Sequence, residues 1–158
     1  MKLTRRESGQ SLMEFALAFP VIIFLILGLF DLGRAIFFYA TLNTAAREAT
    51  RFAIVLDDST ADKPGEIETK VKEFLWIKEL SDNCKLNGTV CDITVTYVYP
   101  PPPLPYSNDP YDPTVSVTIT YEFEAITPGI SLIIGNGGKL PLEVHSTMLL
   151  SPYAKPAY

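Results

Sequence analysis

Histidine occurs once in these 158 residues, at His145, and tryptophan once, at Trp76. One imidazole leaves no paired-histidine metal motif. His145 also alternates with the apolar positions Leu142, Val144 and Met148, so it reads as a surface residue of a strand rather than a base. Cysteine occurs only at Cys84 and Cys91, too few ligands for a metal site of their own. A phosphate-cradling loop is missing, because Gly135-Asn136-Gly137-Gly138 lacks the Lys-Ser/Thr sequel, and there is no nucleophile elbow. These absences exclude the common catalytic sets, so no enzyme, cofactor or metal is expected. Basic side chains are thin beyond Leu56: seven lysines stand against fourteen acids over residues 57–158, and the whole chain carries a net charge of −5. An acidic outer part excludes a nucleic-acid surface, which needs clustered Lys and Arg.

Charge of either sign is missing from Phe15 to Phe30. Sixteen helical residues span about 24 Å, short of a hydrocarbon core of about 30 Å. The helix is therefore expected to continue, backward through Ser11-Leu12-Met13 and forward through Leu32, Ala35, Ile36, Phe37, Phe38 and Tyr39. Lys2, Arg5 and Arg6 precede the run, which places the N-terminus in the cytoplasm and the C-terminal part outside by the positive-inside rule. Pro20 removes the bond to the Ala16 carbonyl and predicts a kink. Asp31 and Arg34, three apart, can pair on one helix side. A cleaved secretory signal fits poorly, because Asp31-Leu32-Gly33-Arg34 stands where a small-x-small site belongs. A plain uncleaved anchor leaves Glu14 unexplained: a lone carboxylate at the mouth of an apolar run is costly without a partner.

The stretch Gly9-Gln10-Ser11-Leu12-Met13-Glu14-Phe15 resembles the processing site of type IVb pilins. The resemblance widens to a TadE-like domain through GQSLMEFAL, then Gly28, Asp31, Gly33 and Arg34, then AAREATRFA from Ala45 to Ala53. It covers about the first third of the chain. It implies a leader, residues 1–9, cut after Gly9 by a prepilin peptidase at the cytoplasmic face. Gln10 then begins the mature chain, with Glu14 fifth and Phe15 sixth, where the family often has Tyr. Gly9, lacking a side chain, suits a narrow protease cleft. The new amine on Gln10 and the Glu14 carboxylate are each costly near lipid and complementary together. In a helical array Glu14 would meet the amine of a neighbour and set axial register. The bland alternative is a glutamate that only reaches headgroups. The implied partners are the peptidase, other pilin-like subunits, the Tad secretion machinery and the bacterial cytoplasmic membrane, with an extracellular pilus as a possible destination after assembly.

Beyond the membrane, Phe38, Leu42, Ala45, Ala49, Phe52 and Leu56 recur at steps of four and three, one face of a helix continuing to about Val55. Within the long-helix segment, residues 10–56, a helix from about Ser11 to about Val55 would be about 65 Å long. Turn and breaker residues from Asp57 to Gly65 end it. The expected outer domain, residues 57–158, is α+β. A second helix is predicted from Glu66 to Leu80, with Trp76 at its edge, read as core or boundary packing with a binding anchor as the alternative. Cys84 and Cys91, outside the cytoplasm, are expected to form a disulfide around an Asn87-Gly88 turn. Strands are predicted around Ile93–Tyr99, Val115–Glu124 and Leu142–Met148, giving a small antiparallel sheet under the long helix, a type IV pilin-like architecture. Between the first two strands, residues 100–113 are proline-rich. Tyr106 and Tyr111 there read either as a partner-contact loop or as part of a rigid connection. Asn108, Asp109 and Asp112 lack the spacing of a calcium loop. The stretch from Thr127 to Gly138 reads as a short helix or an apolar flap. Two function classes follow: a processed TadE-like minor pilin or pseudopilin, or a single-pass anchored extracytoplasmic binding module that never enters a filament.

Overall fold

The computed structural model describes residues 7–56, 63–98, 114–127 and 138–150. The expectations for Tyr106, Tyr111, the Asn108–Asp112 cluster and residues 128–137 lie outside them. Seven elements follow in order: α1 (Glu7–Val55), α2 (Lys63–Phe74), α3 (Lys78–Asn83), β1 (Cys84–Leu86), β2 (Cys91–Val98), β3 (Thr114–Glu124) and β4 (Lys139–Leu149). The class is α+β, as expected, with a long apolar N-terminal helix, a small sheet and two shorter helices.

Helix α1 is unbroken through Pro20. It starts at Glu7, four residues before Ser11, because only Gly9 in that stretch opposes a helix, at a cost of about 1 kcal/mol. Its two parts differ sharply. From Gly9 to Leu27 every side chain is exposed, and the helix is long and apolar enough to cross a membrane. The chain divides into two compact units inside α1. One holds Met1–Ile36 with Glu124–Leu140, and the other holds Phe37–Phe123 with Pro141–Tyr158.

In the second unit the α1 stripe is buried at Phe38, Leu42, Ala45, Ala46, Ala49 and Ala53. The expected face therefore holds to Ala49 and then passes through Ala53, while Phe52 and Leu56 are half-buried. Phe52 instead receives the Lys70 ammonium of α2 over its ring, 5.6 Å from the centroid. The small side chains let α1 lie close on the sheet. Phe38 meets Tyr121 and Phe123 of β3 edge-on, each at 5.7 Å between centroids. The buried Thr50 hydroxyl lies 2.7 Å from the Ala46 carbonyl and 3.2 Å from that of Ser146 on β4. Its single proton is shared between the two oxygens.

The sheet order is β1-β2-β3-β4. β2 and β3 are antiparallel, with Ile93 opposite Ile119 and Val95 opposite Val117. β3 alternates as its sequence predicts: Val115, Val117, Ile119, Tyr121 and Phe123 are buried. The fourth strand, β1, was not legible in the sequence. It pairs parallel to β2, with Cys84 opposite Cys91, so the sheet is mixed rather than wholly antiparallel.

The expected helix over Glu66–Leu80 is two helices. Ile67, Val71 and Leu75 sit four apart on one stripe, but Leu80 would lie about 140° from Leu75 on a straight helix. Breaking at Leu75–Ile77 lets Leu75 and Leu80 both be buried. The break turns Trp76 outward, 86% exposed, which overturns the core or boundary packing reading of this residue.

Between β1 and β2 four residues carry the chain back beside the start of β1, so that the two strands run the same way. The Gly88 amide donates to the Lys85 carbonyl at 3.1 Å, and Asn87 takes a positive φ of 56°, which asparagine tolerates. The disulfide Cys84–Cys91 closes this loop. A Cβ on Gly88 would stand 2.2 Å from the Cys91 carbonyl oxygen and 3.1 Å from that of Lys85. Both are backbone atoms that cannot swing aside. Gly88→Ala is expected to destabilise the chain by about 1–3 kcal/mol, read as a lower midpoint when the full chain in detergent micelles is melted. An unchanged midpoint would show that the loop shifts freely.

Candidate functional site

The first turns of α1 gather the residues singled out in the sequence. Gln10 and Glu14 are four apart, hence on one face, and the Gln10 side-chain amide donates to Glu14 Oε1 at 3.2 Å. Phe15 stacks at a tilt on Phe19, 5.5 Å between centroids. Gln10, Glu14 and Phe15 are all exposed, so this cluster faces whatever surrounds the helix. Glu14 is the one charged residue between Glu7 and Asp31. Gly9 lies within the helix, and a Cβ added there meets nothing within 4 Å. The fold itself therefore does not require glycine at that position.

At the other end of the charge-free run, Asp31 is 6% exposed. Its Oδ2 accepts the Thr127 amide at 2.8 Å and its Oδ1 accepts the Ile126 amide at 3.2 Å. Arg34 Nη1 lies 3.4 Å from Oδ1. The pair with Arg34 is present, but it is longer than either amide contact. The shorter two tie α1 to the backbone that follows β3. Asp31 thus acts as an acceptor for the buried Thr127 amide and the part-buried Ile126 amide of the segment leaving β3. Sequence spacing pointed to Arg34 alone and missed Ile126 and Thr127. The signal that could have found them is the buried stripe: Asp31 is seven residues before Phe38, hence on the inner face.

A second carboxylate was also missed. Glu68 of α2 accepts from the Lys72 ammonium and from the Leu86 amide of β1 at 3.1 Å. Burial works to raise its pKa, but the Lys72 ammonium and the Leu86 amide outweigh it and hold the carboxyl below its ordinary 4.5. A depressed carboxylate pKa contributes stability that is complete above the unfolded value and lost as pH falls through the folded one. Stability of the full chain is therefore expected to decline as pH drops below 4.5, with part of that decline absent in Glu68→Gln. Equal acid profiles for the two chains would reject the assignment.

Cys84 and Cys91 are joined and fully buried. His145 is exposed on β4. Among the described residues, no three His, Cys, Asp or Glu side chains gather as a metal ion would require. Tyr106 and Tyr111 lie outside the described residues.

No curated protein and no solved structure matches this chain. Residues 9–51 match the family model described as TadE-like protein, the family that the N-terminal motifs resemble.

Proposed function

We propose that the chain is a TadE-like minor pilin or pseudopilin, a structural part of tight-adherence pilus assembly and not an enzyme. In this reading a prepilin peptidase cuts between Gly9 and Gln10 at the cytoplasmic face. Helix α1 anchors the product with its N-terminus inside and the sheet-bearing part outside. Other pilin-like subunits pack on the exposed apolar face of α1. The observation that carries the reading is the pairing of the TadE-like segment with a helix whose only charge between Glu7 and Asp31 is the exposed Glu14. An exposed apolar surface of this length needs lipid or neighbouring helices. An anion at its edge needs a cation there, and the Gln10 amine released by the cut is one.

Because Gly9 is helical, entry into a protease cleft requires the first turn to unwind, which glycine favours. Because a side chain at Gly9 clashes with nothing, a processing defect in Gly9→Leu would report the protease rather than the fold. The test is the intact mass and N-terminal residue of the membrane protein, made with and without a cognate prepilin peptidase. The expected results are a chain beginning at Gln10 only when the peptidase is present, and an unprocessed Gly9→Leu chain that still inserts. A chain that still begins at Met1 in its native host would favour the anchored binding module instead.

A further inference from the structure

The proposed function leaves the Asn87-Gly88 pair unused, and the pair carries chemistry of its own. An asparagine followed by glycine is open to attack from its own backbone. Gly88 has no Cβ to hinder the approach of its nitrogen to the Asn87 side-chain carbonyl carbon. A bond forms between Gly88 N and Asn87 Cγ, the nitrogen gives up its proton, and the Cγ–Nδ2 bond breaks with release of ammonia. The product is a succinimide ring. Water then opens the ring at either carbonyl, giving aspartate or an isoaspartate whose main chain runs through the side-chain Cβ. Water is the only co-reactant, and Asn87 and Thr89 are exposed to it.

The folded turn holds the attacking nitrogen elsewhere. The Gly88 N–H donates to the Lys85 carbonyl and to Asp92 Oδ1, both at 3.1 Å, sharing its hydrogen between the two oxygens. The Thr94 hydroxyl donates to Asp92 Oδ2 at 3.0 Å and steadies that carboxylate. Both acceptors are placed by the disulfide. Cys84 stands opposite Cys91, which sets Lys85 opposite Asp92, and the bond between the cysteines fixes that register. Gly88 has no slack against the Cys91 carbonyl, where even a Cβ would collide. The torsion ψ of Asn87 is what carries the Gly88 nitrogen toward or away from Cγ, and the turn fixes it. Turning ψ to close the ring breaks both hydrogen bonds. We propose that Asn87 is a latent self-modification site, held shut by the Cys84–Cys91 bond and the Asp92 carboxylate and opened when that bond is reduced. A chain that never closes its disulfide, or loses it, is then marked irreversibly. The mark is a new carboxylate beside Asp92, or an isoaspartate that lengthens the turn. The inference does not depend on the pilin reading.

The full chain in detergent micelles would be incubated at mildly alkaline pH, with isoaspartate at residue 87 followed by peptide mapping. Three samples are compared: the chain with its disulfide intact, the chain reduced in denaturant and returned to micelles under excess dithiol, and the reduced chain kept unfolded. Reduction passes two electrons and two protons from the dithiol to the sulfurs, leaving two thiols and an oxidised reductant. The unfolded sample sets the unrestrained rate. The intact chain is expected to react about tenfold or more slowly than that, and the reduced chain close to it. Asp92→Ala with the disulfide kept should react faster than the parent chain. It carries the test where hydrogen exchange at β3 shows that reduction has opened more than the turn. An intact chain reacting at the unrestrained rate would overturn the proposal, as would a reduced chain no faster than the intact one. An Asp92→Ala chain slower than its parent would overturn it too, because the carboxylate would then be a base that draws off the Gly88 proton.

Discussion

Asp31→Ala is expected to lower the stability of the full chain by about 1–3 kcal/mol, because it leaves the buried Thr127 amide and the part-buried Ile126 amide without an acceptor. The Ile126 and Thr127 amides, now held at 3.2 and 2.8 Å, should lose their protection against hydrogen exchange. Asp31→Asn keeps one side-chain carbonyl oxygen and should fall between the two. Arg34→Ala is the control. Its contact with Asp31 is longer, 3.4 Å, and the arginine side chain is 35% exposed, so its loss should cost no more than about 1 kcal/mol. This ordering separates two roles for one residue. A charge pair on the helix surface would make the alanine variants of Asp31 and Arg34 equivalent. A clamp on backbone amides makes Asp31 far the more sensitive. Unchanged melting and unchanged amide protection in Asp31→Ala would sink the clamp.

Glu14→Ala carries the second large effect, and it falls on assembly rather than stability. Glu14 is exposed, and its hydrogen bond to Gln10 is between neighbours on one helical face, so removing it costs the fold little. The variant is expected to be processed and inserted like the wild type. It should be lost from sheared pili or from crosslinked complexes with other pilin-like subunits. The physical reason is the cost of an uncompensated cation: without Glu14, the Gln10 amine of an adjoining subunit would sit at the edge of the apolar phase with no anion. Glu14→Gln, which keeps the size and loses the charge, should fail as Glu14→Ala does. Glu14→Asp should recover part of the incorporation. Normal incorporation of Glu14→Gln would show that the charge does not set register, leaving the headgroup-reaching reading of this residue.

Much of the architecture was legible because periodicity records which side of an element meets the core. The α1 stripe from Phe38 to Ala49 and the β3 alternation from Val115 to Phe123 could be read off directly. Contacts between distant residues left no such trace. Nothing local to Asp31 reveals that its partners are 95 and 96 residues away. Asp31 nonetheless continued the buried stripe one heptad upstream of Phe38, and a carboxylate on an inner face demands partners. The break at Leu75–Ile77 was hidden for a related reason. The apolar spacing of α2 and α3 is helical within each piece, and only the need to bury Leu80 on the same core as Leu75 forces the turn.

The sequence by itself determined the elements that depend on composition over a few turns. These are the uncharged run with its lone Glu14, the helix that carries it, the alternating strands and the TadE-like motifs from Gly9 to Ala53. Hydrophobic transfer and helical or strand period act locally, so each residue's neighbours in sequence were enough to read them. The tertiary structure alone decided the parallel strand β1, the Glu68 tie to Leu86, the grip of Asp31 on Ile126 and Thr127, and the outward turn of Trp76. Each of these satisfies or exposes a group through atoms far away in the chain, and that condition exists only once the chain has closed on itself.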